Sequence, residues 1–300
     1  MKISFSLDLK PNSGKQIFAC RLAKALKKQG IKVVDKKPDI NIVIVKGVKP
    51  NCKNILRLDG IWMNNRDDRL RDKNKKIYNI INTCDGIIYQ NQFCKDASDR
   101  LIGKCKNKYA IICNGANPEE FKVSCYQHDK PYFMALCKWR PHKRLKSIIC
   151  GFLNSDLHTT MDLIVVGKPD YTIKHNSIKY FGNIEHSHLI KILCGSVATI
   201  HLAYIDWCPN SVVESILANR PVIHTSSGGT KLIVQNDGIC INENKEWEYN
   251  IIDLYNPPNL DINEISQAYK SVLDVKVHER TDLHIDNIAM KYVSFFKEVL

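Results

Sequence analysis

Two carboxylates and a cluster of cations carry the chemistry legible in this chain. Asp206 stands eight positions before Glu214 in the stretch DWCPNSVVESILANRPVIHTSSGG, which runs from Asp206 to Gly229. Pro209, Asn210 and Ser211 lie between them; a short apolar helical pattern, the strand-like PVIHT and the pair Gly228 and Gly229 follow. This order predicts Asp206 on a loop and Glu214 in the first turn of a helix, both facing one crevice. A helix start offers unpaired N–H groups and the positive end of the dipole, which suits a diphosphate. Asn210 and Ser211 read as caps, leaving the N–H groups of Ser211 and Val212 for phosphate oxygens. Upstream, KWRPHKRLKSII presents Lys138, Arg140 and Lys143, with Lys138 and Lys143 five apart. Such cations neutralise a diphosphate and the charge it gains as a leaving group. Arg140 has the fork geometry to clamp phosphate bidentately and is an alternative to Lys138. The set suits a charged, hydroxyl-rich ligand.

Other chemistries fit less well. The SGK around Gly14 is not a Walker A loop, because Leu9 stands where the first glycine is required and Gln16 follows the lysine. A G-x-G-x-x-G fingerprint is absent, which argues against a dinucleotide-dependent oxidoreductase. Twelve cysteines are scattered from Cys20 to Cys240 with no C-x-x-C spacing, so neither a zinc site nor a disulfide framework is expected. His201 and His224 sit in or beside apolar strands and read as core or crevice-lining residues. The net charge of +13 is spread along the chain, without the basic–aromatic interleaving of a single-strand binder. No apolar run approaches the roughly 20 residues needed to cross a bilayer, and MKISFSLDLK reads as a first strand. A cytoplasmic protein is expected, with peripheral contact to an anionic membrane as one use of its basic surface.

The elements that must position these residues alternate along the chain. ISFSL, IKVV, INIVIV, NILRL, GIIYQ and YAIIC read as strands in the first half; YFMALC, DLIVVG, VATIHLA, PVIHT and GICI in the second. Phe18, Leu22 and Leu26 recur every four residues, one face of a helix that Gly30 ends. Alternating βα units with near-continuous apolar strands imply doubly wound parallel sheets. The polar stretch from Asn114 to Lys130 separates two such series. The predicted domains are 1–122 and 123–283, with a closing helix over 284–300 that packs back toward the first domain. A crevice between two facing sheets is the default site.

In this order the motifs resemble the glycosyltransferase family 4 group of GT-B enzymes over most of the chain. NSGKQIFACRLAKALKKQGIKV resembles the family's opening segment, NGANPEEF its interdomain signature, and KWRPHKRLKSII its arginine–lysine pair. YFGNIEHSHLIKIL, with Gly182, is similar to its glycine-containing strand and helix, and Asp206 and Glu214 fall where the family carries two glutamates. The resemblance implies a GT-B fold of two Rossmann-like domains, acceptor side first and nucleotide-sugar side second. It implies retaining transfer of a hexose from a UDP- or GDP-sugar to a hydroxyl acceptor such as a growing glycan, without metal or other cofactor. Glu214 would then hold the ribose, Asp206 the donor sugar, and Lys143 with Lys138 or Arg140 the pyrophosphate. Gly14 would meet phosphate or acceptor, and Arg57 and Asp59 in RLDGIW would contact the acceptor. The chain departs from the pattern at Asp206, shorter than glutamate, and at Leu232, where the family often has glutamate. A nucleotide-sugar-binding protein without transfer, a nucleotide-sugar epimerase and a basic nucleic-acid binder remain alternative readings; nucleic acid is not the expected partner.

Overall fold

Apolar runs buried on both faces make the inner strands of this chain's sheets, and helices with one apolar stripe connect the strands. The computed structural model describes residues 1–44 and 46–300. The chain divides into two units, one of Met1–Asn117, Tyr249–Ile252 and Thr281–Leu300, the other of Pro118–Glu248 and Asp253–Arg280.

In the first unit β1 (Lys2–Phe5), β2 (Lys32–Val33), β3 (Ile40–Ile44), β4 (Lys53–Leu58), β5 (Gly86–Tyr89) and β6 (Lys108–Ile111) form one six-stranded sheet. Its order is β2-β1-β3-β4-β5-β6, and every pairing is parallel. The connecting helices are α1 (Gly14–Lys28), α2 (Leu70–Thr83) and α3 (Gln92–Leu101). The predicted stripe of Phe18, Leu22 and Leu26 is buried in the core with Ile3, Ile42 and Ile55.

The second unit holds β7 (Tyr132–Leu136), β8 (Asp162–Val166), β9 (Ile178–Gly182), β10 (Ala198–His201), β11 (Val222–Thr225) and β12 (Gly238–Ile241). Their order is β12-β11-β10-β7-β8-β9, again all parallel. The helices are α4 (Leu145–Asn154), α5 (His186–Gly195), α6 (Asn210–Leu217), α7 (Thr230–Val234) and α8 (Ile262–Ser271). Phe133 and Ala135 enter one core with Phe152 and Tyr269, while Tyr132 and Met134 enter another with Ile190 and Leu193. That period-two division is why YFMAL reads as a continuous apolar run. The chain builds outward from β7 to β9 and then restarts on the other side at β10, so the topological switch point lies between β7 and β10.

The last helix, α9 (Ile285–Val299), belongs to the first unit, where Tyr292, Phe295 and Phe296 complete its core. The change of unit falls between Asn117 and Pro118 rather than after Lys122. The reason is local pairing: Ala116 N–H donates to the Leu283 carbonyl at 3.1 Å, and Ile285 N–H donates to that of Ala116 at 2.9 Å. Beyond it, the Cys194 thiol donates to the Phe121 carbonyl at 3.4 Å, within the second unit. All twelve cysteines are unpaired with one another.

Candidate functional site

The carboxyl ends of β7 and β10 emerge side by side at the switch point of the second unit, where ligands of open α/β sheets bind. Cys137 follows β7, His201 ends β10, and the loops after both strands carry Lys143 and Asp206. The structure brings the last two together, with the Lys143 Nζ donating to Asp206 Oδ2 at 2.5 Å. His201 Nε2 lies 2.9 Å from the same oxygen, and the Trp207 N–H donates to Oδ1 at 2.9 Å. Asp206 is thus gripped by three donors.

The electrostatics follow from that crowding. Burial pushes the Asp206 carboxyl up, but the Lys143 ammonium and the His201 imidazole outweigh it and hold Asp206 below the usual carboxylate range. Burial pulls Lys143 down, yet the Asp206 charge leaves it raised overall. His201 behaves alike: burial lowers it, while the Cys137 sulfur and the Asp206 hydrogen bond carry it up to about 9. The two neighbouring imidazoles go the other way. His142 is lowered to about 3 and His224 to about 4, in each case mainly by burial.

The backbone around Asp206 is held in an uncommon shape. Ile205, a β-branched residue, has a φ of +58°, a genuine outlier for its type. Gly228 has a φ of +77°, and a Cβ there would lie 2.7 Å from both the nitrogen and the oxygen of Asp206. The Gly229 N–H donates to the Asp206 carbonyl at 2.7 Å. The glycine pair therefore clamps the Asp206 backbone.

Helix α6 corrects three expectations. Its N-cap is Pro209, without a side-chain cap, so Asn210 and Ser211 are helical residues rather than caps. The Pro209 carbonyl accepts from the Val212 N–H at 3.1 Å and the Val213 N–H at 3.3 Å. Of the two amides expected to meet phosphate, that of Val212 is thus engaged inside the first turn. Glu214 is the fifth helical residue, at the start of the second turn, and only 4% exposed. His186 Nε2 lies 3.3 Å from its Oε1. Helix α6 is pinned to β10 through Thr199, whose hydroxyl donates to that of Ser215 at 2.9 Å; the Ser215 hydroxyl in turn donates to the Ser211 carbonyl at 2.7 Å.

The remaining predicted residues are more dispersed. Lys138 and Arg140 are exposed and enter no ion pair among the described residues. Gly182 ends β9 with a φ of +62°, and its carbonyl accepts from the Gly167 N–H at 2.7 Å. Gly14, Arg57 and Asp59 belong to the first unit. Gly14 is the first residue of α1, behind the N-cap Ser13. Arg57 is an interior side chain rather than an exposed contact: 1% exposed, it pairs with Asp59, bonds the Asn114 amide oxygen and lies 4.2 Å from the Phe18 ring centroid. Asp59 is partly exposed.

Sequence reasoning missed three participants. His201 reads as a core or crevice-lining residue, because only tertiary contact puts Asp206 beside it. Cys137 reads as a strand hydrophobe, yet its Sγ lies 3.7 Å from His201 Nδ1. Arg144 looks like one more member of a basic run. Instead it is buried with φ +57° and grips Glu243 bidentately at 2.6 and 2.8 Å; Glu243 also accepts from the Ser227 hydroxyl at 3.0 Å. This pair ties the start of α4 to the loops after β11 and β12.

No protein-family model matches the sequence, and no curated protein matches it. Solved structures do. Sucrose-phosphate synthase from Thermosynechococcus elongatus matches with a TM-score of 0.74 at 12% identity, over 99% of this chain and 98% of that one. HepE from Anabaena, in complex with UDP-glucose, matches with a TM-score of 0.68 at 13% identity, over 99% and 100%. A glycosyltransferase from Rickettsia africae gives 0.64 at 14% identity, over 99% and 98%. The fold is GT-B. Its two Rossmann-like sheets are the expected ones, and at these identities the likeness is one of fold. Within the GT-B frame, the Lys143–Asp206–His201 cluster and α6 lie in the second unit.

Proposed function

We propose that this chain is a glycosyltransferase that moves a hexose from a UDP- or GDP-sugar to a hydroxyl acceptor such as a growing glycan. The observation that carries this reading is the meeting of Lys143 and Asp206 at the switch point of a GT-B fold, one short loop before α6. Lys143 receives the pyrophosphate, helped by exposed Lys138 and Arg140, and offsets its charge as the leaving group. The incoming diphosphate competes with Asp206 for the ammonium, and the freed carboxylate turns to the hydroxyls of the donor sugar. Glu214 exchanges its His186 contact for the ribose hydroxyls. Transfer proceeds with retention and without metal: the departing phosphate takes the acceptor proton on the face it leaves, so no protein carboxylate attacks.

HepE was solved with UDP-glucose, which makes that donor the first to try. The test is a melting-temperature screen against nucleoside diphosphate sugars, followed by transfer assays with and without EDTA. A donor raises the melting temperature by mass action. No stabilisation by any nucleoside diphosphate sugar overturns the proposal, and activity lost with EDTA overturns its metal-free part. One observation favours a second reading, donor binding without transfer: Asp206 is shorter than the family glutamate and already engaged by three donors. Stabilisation by a donor with neither transfer nor hydrolysis would select it.

A further inference from the structure

Cys137 and His201, which the proposed transfer does not use, form a line with Asp206. Asp206 Oδ2 sits 2.9 Å from His201 Nε2, and His201 Nδ1 sits 3.7 Å from the Cys137 sulfur. A carboxylate can only accept, so Asp206 holds the Nε2 proton of His201 and leaves Nδ1 to face the thiol, taking its proton as imidazole or donating to the thiolate as imidazolium. A thiol beside a base that a third group orients is the arrangement of an activated nucleophile. We infer that Cys137 is an activated thiol, a covalent modification site for small uncharged electrophiles, with His201 as its base.

Lys143 raises the local positive charge and is itself raised by the Cys137 sulfur, so the two lie within electrostatic reach. The groups facing His201 are Cys137, Asp206 and Lys143, with His224 beside it across the β10–β11 pairing and His142 nearby. Both neighbouring histidines are held neutral, so they do not compete for the proton. Held up to about 9, His201 keeps a proton taken from sulfur through neutral pH. Position is enforced as well. The Cys137 N–H donates to the Val166 carbonyl at 3.4 Å, and Gly167, with φ +97°, passes so near that a Cβ would come 2.1 Å from the Cys137 carbonyl oxygen. Cys137 is only partly buried.

With iodoacetamide the step balances simply. His201 Nδ1 takes the thiol proton, the sulfur–carbon bond forms, the carbon–iodine bond breaks, and iodide leaves with its electron pair. The adduct then stands beside Lys143 and Asp206; that it blocks the donor rests on the proposed function, whereas the labelling rate does not.

The experiment treats the full-length folded chain with limiting iodoacetamide and follows each cysteine by peptide mass spectrometry between pH 6 and 9. Cys125, which is exposed, serves as the internal reference. At pH 6.5 Cys137 is expected to react at least about 10-fold faster than Cys125, with a shallower rise with pH. The His201→Asn variant is expected to lose that advantage. Labelling of Cys137 no faster than Cys125 at pH 6.5, or in parallel with it across the pH range, overturns the inference. So does an undiminished rate in a folded His201→Asn protein. Should that variant fail to fold, the pH profile of the unaltered chain decides.

Discussion

At the residue scale the site is a contest for lone pairs and protons. Asp206 is held by Lys143, His201 and the Trp207 amide before any ligand arrives, so donor binding must exchange contacts rather than add them. Lys143→Ala is expected to weaken UDP-glucose binding roughly 10- to 100-fold, the value of a hydrogen bond to a charged group of about 1.5–3 kcal/mol. Calorimetric titration measures it, and unchanged affinity would remove Lys143 from the pyrophosphate site. Glu214→Gln keeps the volume and loses the charge. It is expected to cut transfer by a similar factor with an unaltered circular dichroism spectrum; full activity would displace the ribose from Glu214. The acidic and basic types were legible in the sequence, because spacing alone put carboxylates and cations near βα turns. Their partners were not, since Lys143 and Asp206 are 63 positions apart and His186 and Glu214 are 28 apart.

At the element scale two devices hold the loops that carry these residues. The buried Arg144–Glu243 pair joins the start of α4 to the loops after β11 and β12. Truncating one partner leaves an uncompensated buried charge, so Arg144→Met is expected to cost about 3–5 kcal/mol, and Arg144→Met with Glu243→Leu much less. Urea unfolding of both variants checks this, and equal losses would contradict it. The second device is the turn at Gly228. Gly228→Ala meets both a positive φ and the Asp206 backbone at 2.7 Å. We expect a loss of about 1–3 kcal/mol, together with weaker donor binding because Asp206 shifts. Most strands were legible as apolar runs. The edge strand β9 was visible only through the family resemblance, because IKYFG at the sheet edge is less fully buried and its pattern is diluted by Lys179 and Gly182. The start of α6 was misread by one residue, since Asn210 and Ser211 are good caps by type and Pro209 took the position.

At the scale of the whole molecule, opposed histidine shifts set a stability optimum. His201 binds its proton more tightly folded, at about 9 against 6.5, so its contribution is complete below pH 6.5 and is lost as pH rises toward 9. His224 and His142 refuse protons that the unfolded chain accepts at 6.5, so the folded state loses ground as pH falls toward about 4 and about 3. Asp206, with a depressed carboxyl, adds to the acid loss below the usual carboxylate range. Melting temperature is therefore expected to peak near pH 6–7 and fall on both sides; a melting temperature that rises steadily to pH 9 would show that His201 is not held protonated. The sequence by itself determined the fold class and the chemical types at the strand ends. Those signals are local: strand and helix periodicity, turn residues, and the order of short motifs. Only the tertiary structure decided which groups meet. β7 and β10 become neighbours because the chain restarts beside its first strand after β9, and no local period encodes that pairing. It brings Cys137, Lys143, His201 and Asp206 to one place and makes a cluster out of residues that the sequence presents as separate.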